Sequence, residues 1–481
     1  MHTFVSATTG KVARLIVAAA ALAAAAQSAP LATLYSFTGG ANGANPTAGV
    51  VFGANGSLFG TTPYGGSDAC QGGCGTIFEL TPGTPWTQTV LYSFQGGSDG
   101  ANPGAALTLG TGGVFYGTTA GGGNSGNGTV FKLTPPAKTG GAWTETVLYS
   151  FQGNVTGTVN VTGTGTEVTL TSGSPFVTGT TWNGLSIVLT GVTYTVASVQ
   201  SASRLTLTLP APLQTNADFS TNDGSGPLGS VAMFPNGKLY GTTFAGGAPG
   251  LGTIFELTPP NKTGRWTETV LYVFQGGKDG WGPESGPVVY KGNLYGTTCC
   301  GTVGGTAFEL AQTKGGGWSK KAVYGFSGYS IGANPVGGLA VDSNGVLYGT
   351  TIEGGGDGSG VVFSLTPPVT KGASYILTTI HTFTGGADGG APYGTLLLGS
   401  SGQIYATVTV GCAYTVGGVL EFTPPVGGTG PWTETVLYNF TGGADGAQPF
   451  GGVVLNNNAL YGTTAFSSDG LGYGTVFQLP L

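Results

Sequence analysis

The chain is 481 residues long, with 95 glycines, 7% charged residues and a formal net charge of −6. That composition argues for many short strands joined by glycine turns and nearly excludes helix, and without a basic cluster nucleic acid is not expected as a partner. A disordered low-complexity chain is excluded as well, because Val, Leu, Phe, Tyr and Trp recur at fixed phases for which disorder has no need.

The first element in chain order is the apolar run Leu15 to Ala26, preceded by Lys11 and Arg14 and followed by Gln27-Ser28. This is the shape of a secretory signal peptide cut before Ala29, so residues 1–28 are expected to leave the mature chain and the protein to be secreted or periplasmic. Nothing after it approaches the length of a membrane-spanning helix.

From Ala29 onward one phrase is repeated seven times. Its WTETVLYSF segment is anchored at Leu34, Leu91, Leu148, Leu271, Val323, Ile380 and Leu437, in steps of 57, 57, 123, 52, 57 and 57. The YGTT aromatic keeps the same count at Phe59, Tyr116, Tyr240, Tyr295, Tyr348, Tyr405 and Tyr461, and so does the GTVF column, which ends in Phe everywhere except Leu420. Each unit divides into four extended runs. In the second unit they are Pro103 to Leu109, Val114 to Thr119, Thr129 to Thr134 and Trp143 to Phe151. Asn-Gly pairs such as Asn55-Gly56 supply the positive φ of tight antiparallel turns.

Repeats of this size build propellers or solenoids. The chain opens on a lone fourth run, Leu31 to Phe37, and closes on the first three runs of a seventh unit. A solenoid has no reason to split a unit in this way, whereas a propeller gains a closing seam. The second and third residues after each first-run proline are small in nearly every unit, as in Ala48-Gly49, Ala105-Ala106 and Gly451-Gly452, which suits strands converging on an axis. The expected fold is an all-β, seven-bladed β-propeller of four-stranded blades, closed by the N-terminal strand. The 123-residue step holds a Thr-, Val- and Gly-rich stretch with strand-like alternation, residues 154–222, read as one small inserted β module standing beside or over a channel mouth. Blades one and two then occupy 29–153 with the closing strand, and blades three to seven occupy 223–481. Trp86, Trp143, Trp266, Trp318 and Trp432 are assigned to packing between blades.

The combination GGxDGxxP, LYGTT, GxGTVFxLTPP and WTETVLYSF resembles the tandem repeat of the GloVer-type "choice-of-anchor" proteins, a group of exported bacterial repeat proteins. The likeness covers the mature chain outside 154–222. It implies a bacterial, exported repeat protein and brings no catalytic motif with it.

The residues themselves offer little chemistry. His381 stands where the other six units have tyrosine, so it reads as a packed substitute, and no catalytic residue is assigned. Glu79, Glu256, Glu309 and Glu421 share one position and Glu145, Glu268 and Glu434 another, which is what structural roles produce. Asp99, Asp223, Asp279, Asp388 and Asp445 form a loop column with Asn42 and Ile331 as exceptions. One acid per loop falls short of the six to eight oxygens calcium takes, so these read as turn residues and no metal is assigned. No cofactor motif is present, and none is expected. Cys70 and Cys74 are expected to be disulfide-bonded, while Cys299, Cys300 and Cys412 allow a vicinal bond or a link to Cys412.

What remains is surface. Unrepeated aromatics gather in the loops of one face: Tyr64, Phe244, Trp281, Tyr329, Tyr414 and Phe466, with Tyr393 and Phe450 just inside the first strands. Tyr64, Trp281, Tyr329, Tyr393, Tyr414 and Phe450 are taken as the candidate ligand-binding set, since clustered exposed aromatics suit a carbohydrate or the apolar groups of a cell-surface protein. The reading is a non-catalytic binding or surface-interaction scaffold. Its rivals are an exported polysaccharide lyase or hydrolase using channel-mouth carboxylates such as Glu284, and a purely structural surface protein.

Overall fold

The computed structural model describes residues 30–138, 140–173, 176, 186–189, 192–221, 223–261, 264–302, 304–326, 330–370, 373–467 and 472–481. The expected signal segment, 1–28, and Tyr329 lie outside them. Among the described residues there is no α-helix, and seven antiparallel four-stranded sheets account for the repeats.

The second sheet stands for the rest. It runs Thr108–Leu109, Phe115–Thr119, Thr129–Thr134 and Thr144–Ser150, in that order from its inner to its outer edge. The expected first strand, Pro103 to Leu109, is paired only over its last two residues. Its proline lacks a donor and its small residues run beside the first unit, so no ladder forms there. In the seventh sheet the outer strand is Ala32–Ser36, which pairs antiparallel with Thr475–Pro480.

Packing inside a sheet depends on one exchange of volume. A methyl group placed on Gly60 would lie 2.5 Å from the ring of Phe78 on the facing strand, and Gly117, Gly241, Gly296, Gly349 and Gly462 face Phe131, Phe255, Phe308, Phe363 and Phe477 in the same way. Where the sixth unit has Ala406 instead of glycine, the partner is Leu420 instead of phenylalanine. A larger residue on one strand is met by a smaller one on the other, as a close-packed interior requires. The Trp residues of the outer strands pack between adjacent sheets, Trp143 against Phe59 and Phe115 and Trp266 against Tyr116. They are half-buried.

Between sheets the first threonine of each YGTT phrase donates to an inner-strand carbonyl of the next unit. Thr61 bonds Ala105, Thr118 bonds Gly229, Thr242 bonds Ser285, Thr297 bonds Gly337, Thr350 bonds Pro392 and Thr407 bonds Gly451. Thr463 of the last unit bonds Ala48 of the first at 2.7 Å.

The aspartate column is explained by the turns. Oδ2 of Asp99 accepts from the Gln95 amide at 2.8 Å and from the Tyr92 hydroxyl at 3.0 Å, tying the outer strand to the loop that follows it. Asp445 does the same with Thr441 and Tyr438. At Asp388 the tyrosine is replaced by His381, whose Nε2 lies 3.2 Å from Oδ2, so the histidine takes the tyrosine's structural place. Asp223 makes these bonds to the Gln152 amide and the Tyr149 hydroxyl from the far side of the insertion. The insertion is therefore spliced into an unbroken turn. It forms a closed six-stranded barrel whose strands run from Thr156–Thr162 to Gln214–Ser220, with its own core of Val159, Val168, Ile187, Leu205 and Phe219. Its strand Ser186–Leu189 rests on the third sheet's outer strand, Thr267–Val273, and Tyr149 packs against its core.

Thr463→Val keeps the side-chain shape while leaving the buried Ala48 carbonyl unpaired. It is expected to cost about 1–2 kcal/mol in urea unfolding; an unchanged midpoint would show that this bond contributes nothing.

Candidate functional site

The seven inner strands line a central cavity of about 470 Å³, walled mainly by small residues such as Gly49, Ala105, Gly229, Gly286, Gly338 and Gly452. Above it lies a second cavity of about 300 Å³, lined by Thr47, Gly104, Leu228, Glu284, Val336, Tyr393 and Phe450 together with Ala120 and Pro227. The first seven are the residues that follow the inner-strand proline in each unit. A column that reads as noise along the chain becomes a ring of seven unlike residues around one opening.

The backbone that delivers them is the same in every unit. The residue before each of these prolines has positive φ: Asn45 55°, Asn102 57°, Gly226 64°, Gly282 64°, Asn334 56°, Ala391 49° and Gln448 53°. Asparagine and glycine accept that conformation readily, and the Asn45 and Asn102 side chains bond to carbonyls of the preceding unit's loop, those of Ala465 and Pro63. Ala391 and Gln448 are less suited to it, and they precede Pro392-Tyr393 and Pro449-Phe450. Strain of this kind is retained where geometry is needed. Tyr393 and Phe450 meet edge to face, with centroids 5.0 Å apart.

Glu284 is half-buried, and burial raises its carboxyl pKa. The Tyr393 phenol is raised by burial first and then by the charges of Glu284 and Glu353. Near neutral pH the phenol therefore stays protonated and offers a hydrogen-bond donor. Glu284 is the one carboxyl in the lining.

Five of the six aromatics expected to bind together lie among the described residues, and the structure divides them. Tyr393 and Phe450 line the mouth. Tyr64 and Tyr414, 45% and 56% exposed, lie in outer loops and do not line it. The Trp281 backbone bridges to Cys300, and its ring lies half-buried 6.4 Å from Phe244. Among the described residues of 154–222 none lines the mouth. Cys70 and Cys74 form the expected disulfide, Cys299 and Cys300 form a vicinal one, and Cys412 is a buried free thiol pushed up to about 11, first by burial and then by Glu434 and Asp388.

A third cavity, of about 440 Å³, opens between the first two sheets beside Phe52, Phe59, Phe115 and Trp143. It exists because Gly53 and Gly110 stand where the third and fourth units carry Phe234 and Tyr290. Glu256 and Glu309 accept from the hydroxyls of Tyr240 and Tyr295 and are structural. Among the described residues no group of three or more His, Cys, Asp or Glu is placed to hold a metal, and no helix is long and apolar enough to cross a membrane.

The family model of the Gloeobacter/Verrucomicrobia repeat matches residues 21–194, 178–377 and 305–481. No curated protein matches the chain. Similar solved structures include a proposed 6-phosphogluconolactonase from Bacteroides uniformis, 13% identical over 81% of this chain and 96% of that one, with a TM-score of 0.36. A Dyadobacter fermentans protein of unknown function is 10% identical over 94% and 98%, also at 0.36. Trypanosoma rangeli sialidase is 8% identical over 94% of this chain and 59% of its own, again at 0.36. Likeness at this level transfers no residue and no activity.

Because Glu284 is easier to protonate in the folded chain than in the unfolded one, its ionisation lowers stability as pH rises above the unfolded carboxyl range. Glu284→Gln is expected to match the parent near pH 4 and to exceed it near pH 8 in urea unfolding. A variant less stable than the parent at pH 8 would contradict this.

Proposed function

We propose, for a chain that belongs to the Gloeobacter/Verrucomicrobia repeat family, that it folds as a closed seven-bladed β-propeller and acts as an exported, non-catalytic binding scaffold. The ligand it takes at the mouth is amphiphilic, of the carbohydrate class. The observation that carries this reading is the ring itself. Residues that hold the scaffold repeat from unit to unit, while the seven at the mouth differ. They combine an aromatic pair for a sugar face, apolar walls at Leu228 and Val336, and a carboxyl, a phenol and a hydroxyl for polar contacts. Sites of this kind are mostly apolar with a few placed polar groups.

Export is supported by the signal-like segment before Ala29 and by the Cys70–Cys74 disulfide. A non-catalytic role is supported by the chemistry of the mouth. A glycosidase of the usual kind needs two carboxyl groups set for different tasks, and the lining supplies one. His381 is engaged with Asp388, and Tyr393 is held neutral. The hydrolase or lyase reading retains one favourable observation, the raised pKa of Glu284, which suits a general acid.

The test is binding to a glycan array and to insoluble polysaccharides by the mature chain, Ala29 to Leu481. Saturable binding is expected, weakened about tenfold or more, or about 1.4 kcal/mol, by Tyr393→Ala and by Phe450→Ala. Glu284→Gln is expected to bind nearly as the parent does, and no product should form. Binding untouched by either aromatic substitution would remove the mouth as the site. Polysaccharide cleavage abolished by Glu284→Gln would establish the enzyme reading instead, and no saturable ligand would favour a structural role.

A further inference from the structure

The cavity between the first two sheets contains a carboxylate that has lost the partners its counterparts keep. In four units a glutamate lies directly across the strand pair from the YGTT aromatic. In the third unit Glu256 accepts from the Lys238 ammonium and the Tyr240 hydroxyl, and in the fourth Glu309 accepts from the Asn293 amide and the Tyr295 hydroxyl. In the sixth, Glu421 faces Tyr405. In the first, Glu79 faces Phe59, which has no hydroxyl to donate, and Ser57 stands where the third and fourth units carry Lys238 and Asn293. No ion pair among the described residues includes Glu79.

The rest of this seam is altered at the same place. Phe115 occupies a position where the other six units carry leucine or isoleucine. Its ring centroid lies 4.5 Å from that of Phe59 and 6.1 Å from that of Trp143, and the Phe59 and Trp143 centroids are 5.8 Å apart. Gly53 and Gly110 leave about 440 Å³ open beside these three rings, with Ser57 and Glu79 also in the lining. Glu79 is the one charged residue there. In the sixth unit, where the glycine recurs as Gly399, a methyl group placed on it would meet the Gln403 side chain at 2.8 Å, so that position is already occupied.

We propose that this cavity binds a small organic cation, an ammonium group carried on a flat apolar body, with Glu79 taking the charge and Phe59, Phe115 and Trp143 receiving the body. Aromatic faces attract a cation as well as apolar surface, and the volume is that of a small-molecule site. The carboxylate selects among ligands that fit. A neutral apolar molecule would cover it and leave it unpaired, and an anion would be repelled by it. In the third unit the chain fills the corresponding place from within, since the Lys238 ammonium there meets Glu256. The ligand's ammonium stands in for that lysine at Glu79. The site is separate from the mouth, with which it shares no lining residue.

The test is calorimetric titration of the mature chain near pH 7 and at low salt with 2-phenylethylammonium, beside the neutral 2-phenylethanol and the anionic phenylacetate. One saturable site of about millimolar affinity or tighter is expected for the cation, with the alcohol and the acid weaker by about tenfold or more. Glu79→Gln is expected to weaken the cation by about tenfold or more, and Ser57→Lys, which brings the third unit's ammonium to Glu79, to abolish its binding. Should Ser57→Lys fail to fold, the loss in Glu79→Gln decides. No saturable binding by the parent up to about 10 mM overturns the proposal, as does equal affinity for the alcohol. Cation binding that is unchanged in Glu79→Gln also overturns it, and its loss in Tyr393→Ala would place the cation at the mouth instead.

Discussion

A threonine hydroxyl bonded to the inner strand of the neighbouring sheet is the contact on which this molecule depends. It is made seven times, at 2.7 to 3.1 Å, and the seventh runs from Thr463 back to Ala48. For that bond to form, the inner strands must approach until their backbones nearly touch. A methyl group on Gly49 would lie 2.6 Å from the Gly452 carbonyl oxygen, and one on Gly286 closer still to that of Ser230. The small residues at these positions follow from the hydrogen bond, and not from any tolerance for glycine. One residue back, beside the proline, the strands have spread enough to carry side chains. Variation in the chain is therefore concentrated where the inner strands open into a mouth.

The same economy explains how a barrel can be inserted without disturbing the ring. The turn that receives it is closed by a carboxylate that bonds the outer strand's amide and tyrosine, and Asp223 makes those bonds although its partners are 71 and 74 residues away. The barrel brings its own core, so it adds to the scaffold without borrowing from it. Asp223 and Glu268 beside it are buried, at 0% and 2% exposure.

Much of the architecture could be read from the residues, because period, strand length and turn chemistry are local properties. The tie of Asp99 to its own turn, the substitution of His381 for tyrosine and the Cys70–Cys74 bond were all legible in that way. The Leu420 exception was visible but not its cause, which lies in Ala406 on the facing strand. The site was only half legible. Tyr393, Phe450 and Glu284 stand out as unrepeated residues, but nothing local says that Thr47, Leu228 and Val336 meet them across the axis. Loop aromatics such as Tyr64 and Tyr414 look equivalent along the chain and diverge in space, and the Trp281 ring lies half-buried against Phe244 while its backbone bridges to Cys300.

Every part of this account requires that the last sheet be completed by the first strand. The direct measurement is oxidative crosslinking of Ala32→Cys with Gln478→Cys, residues that face one another in the register of the two strands. The account predicts a monomer in which the two termini are joined by an intramolecular disulfide, found by mass spectrometry in a single linked peptide. Free thiols at these two positions after oxidation, or dimers linked through these cysteines, would mean that the ends do not meet within one chain and that the mouth ring does not form as described.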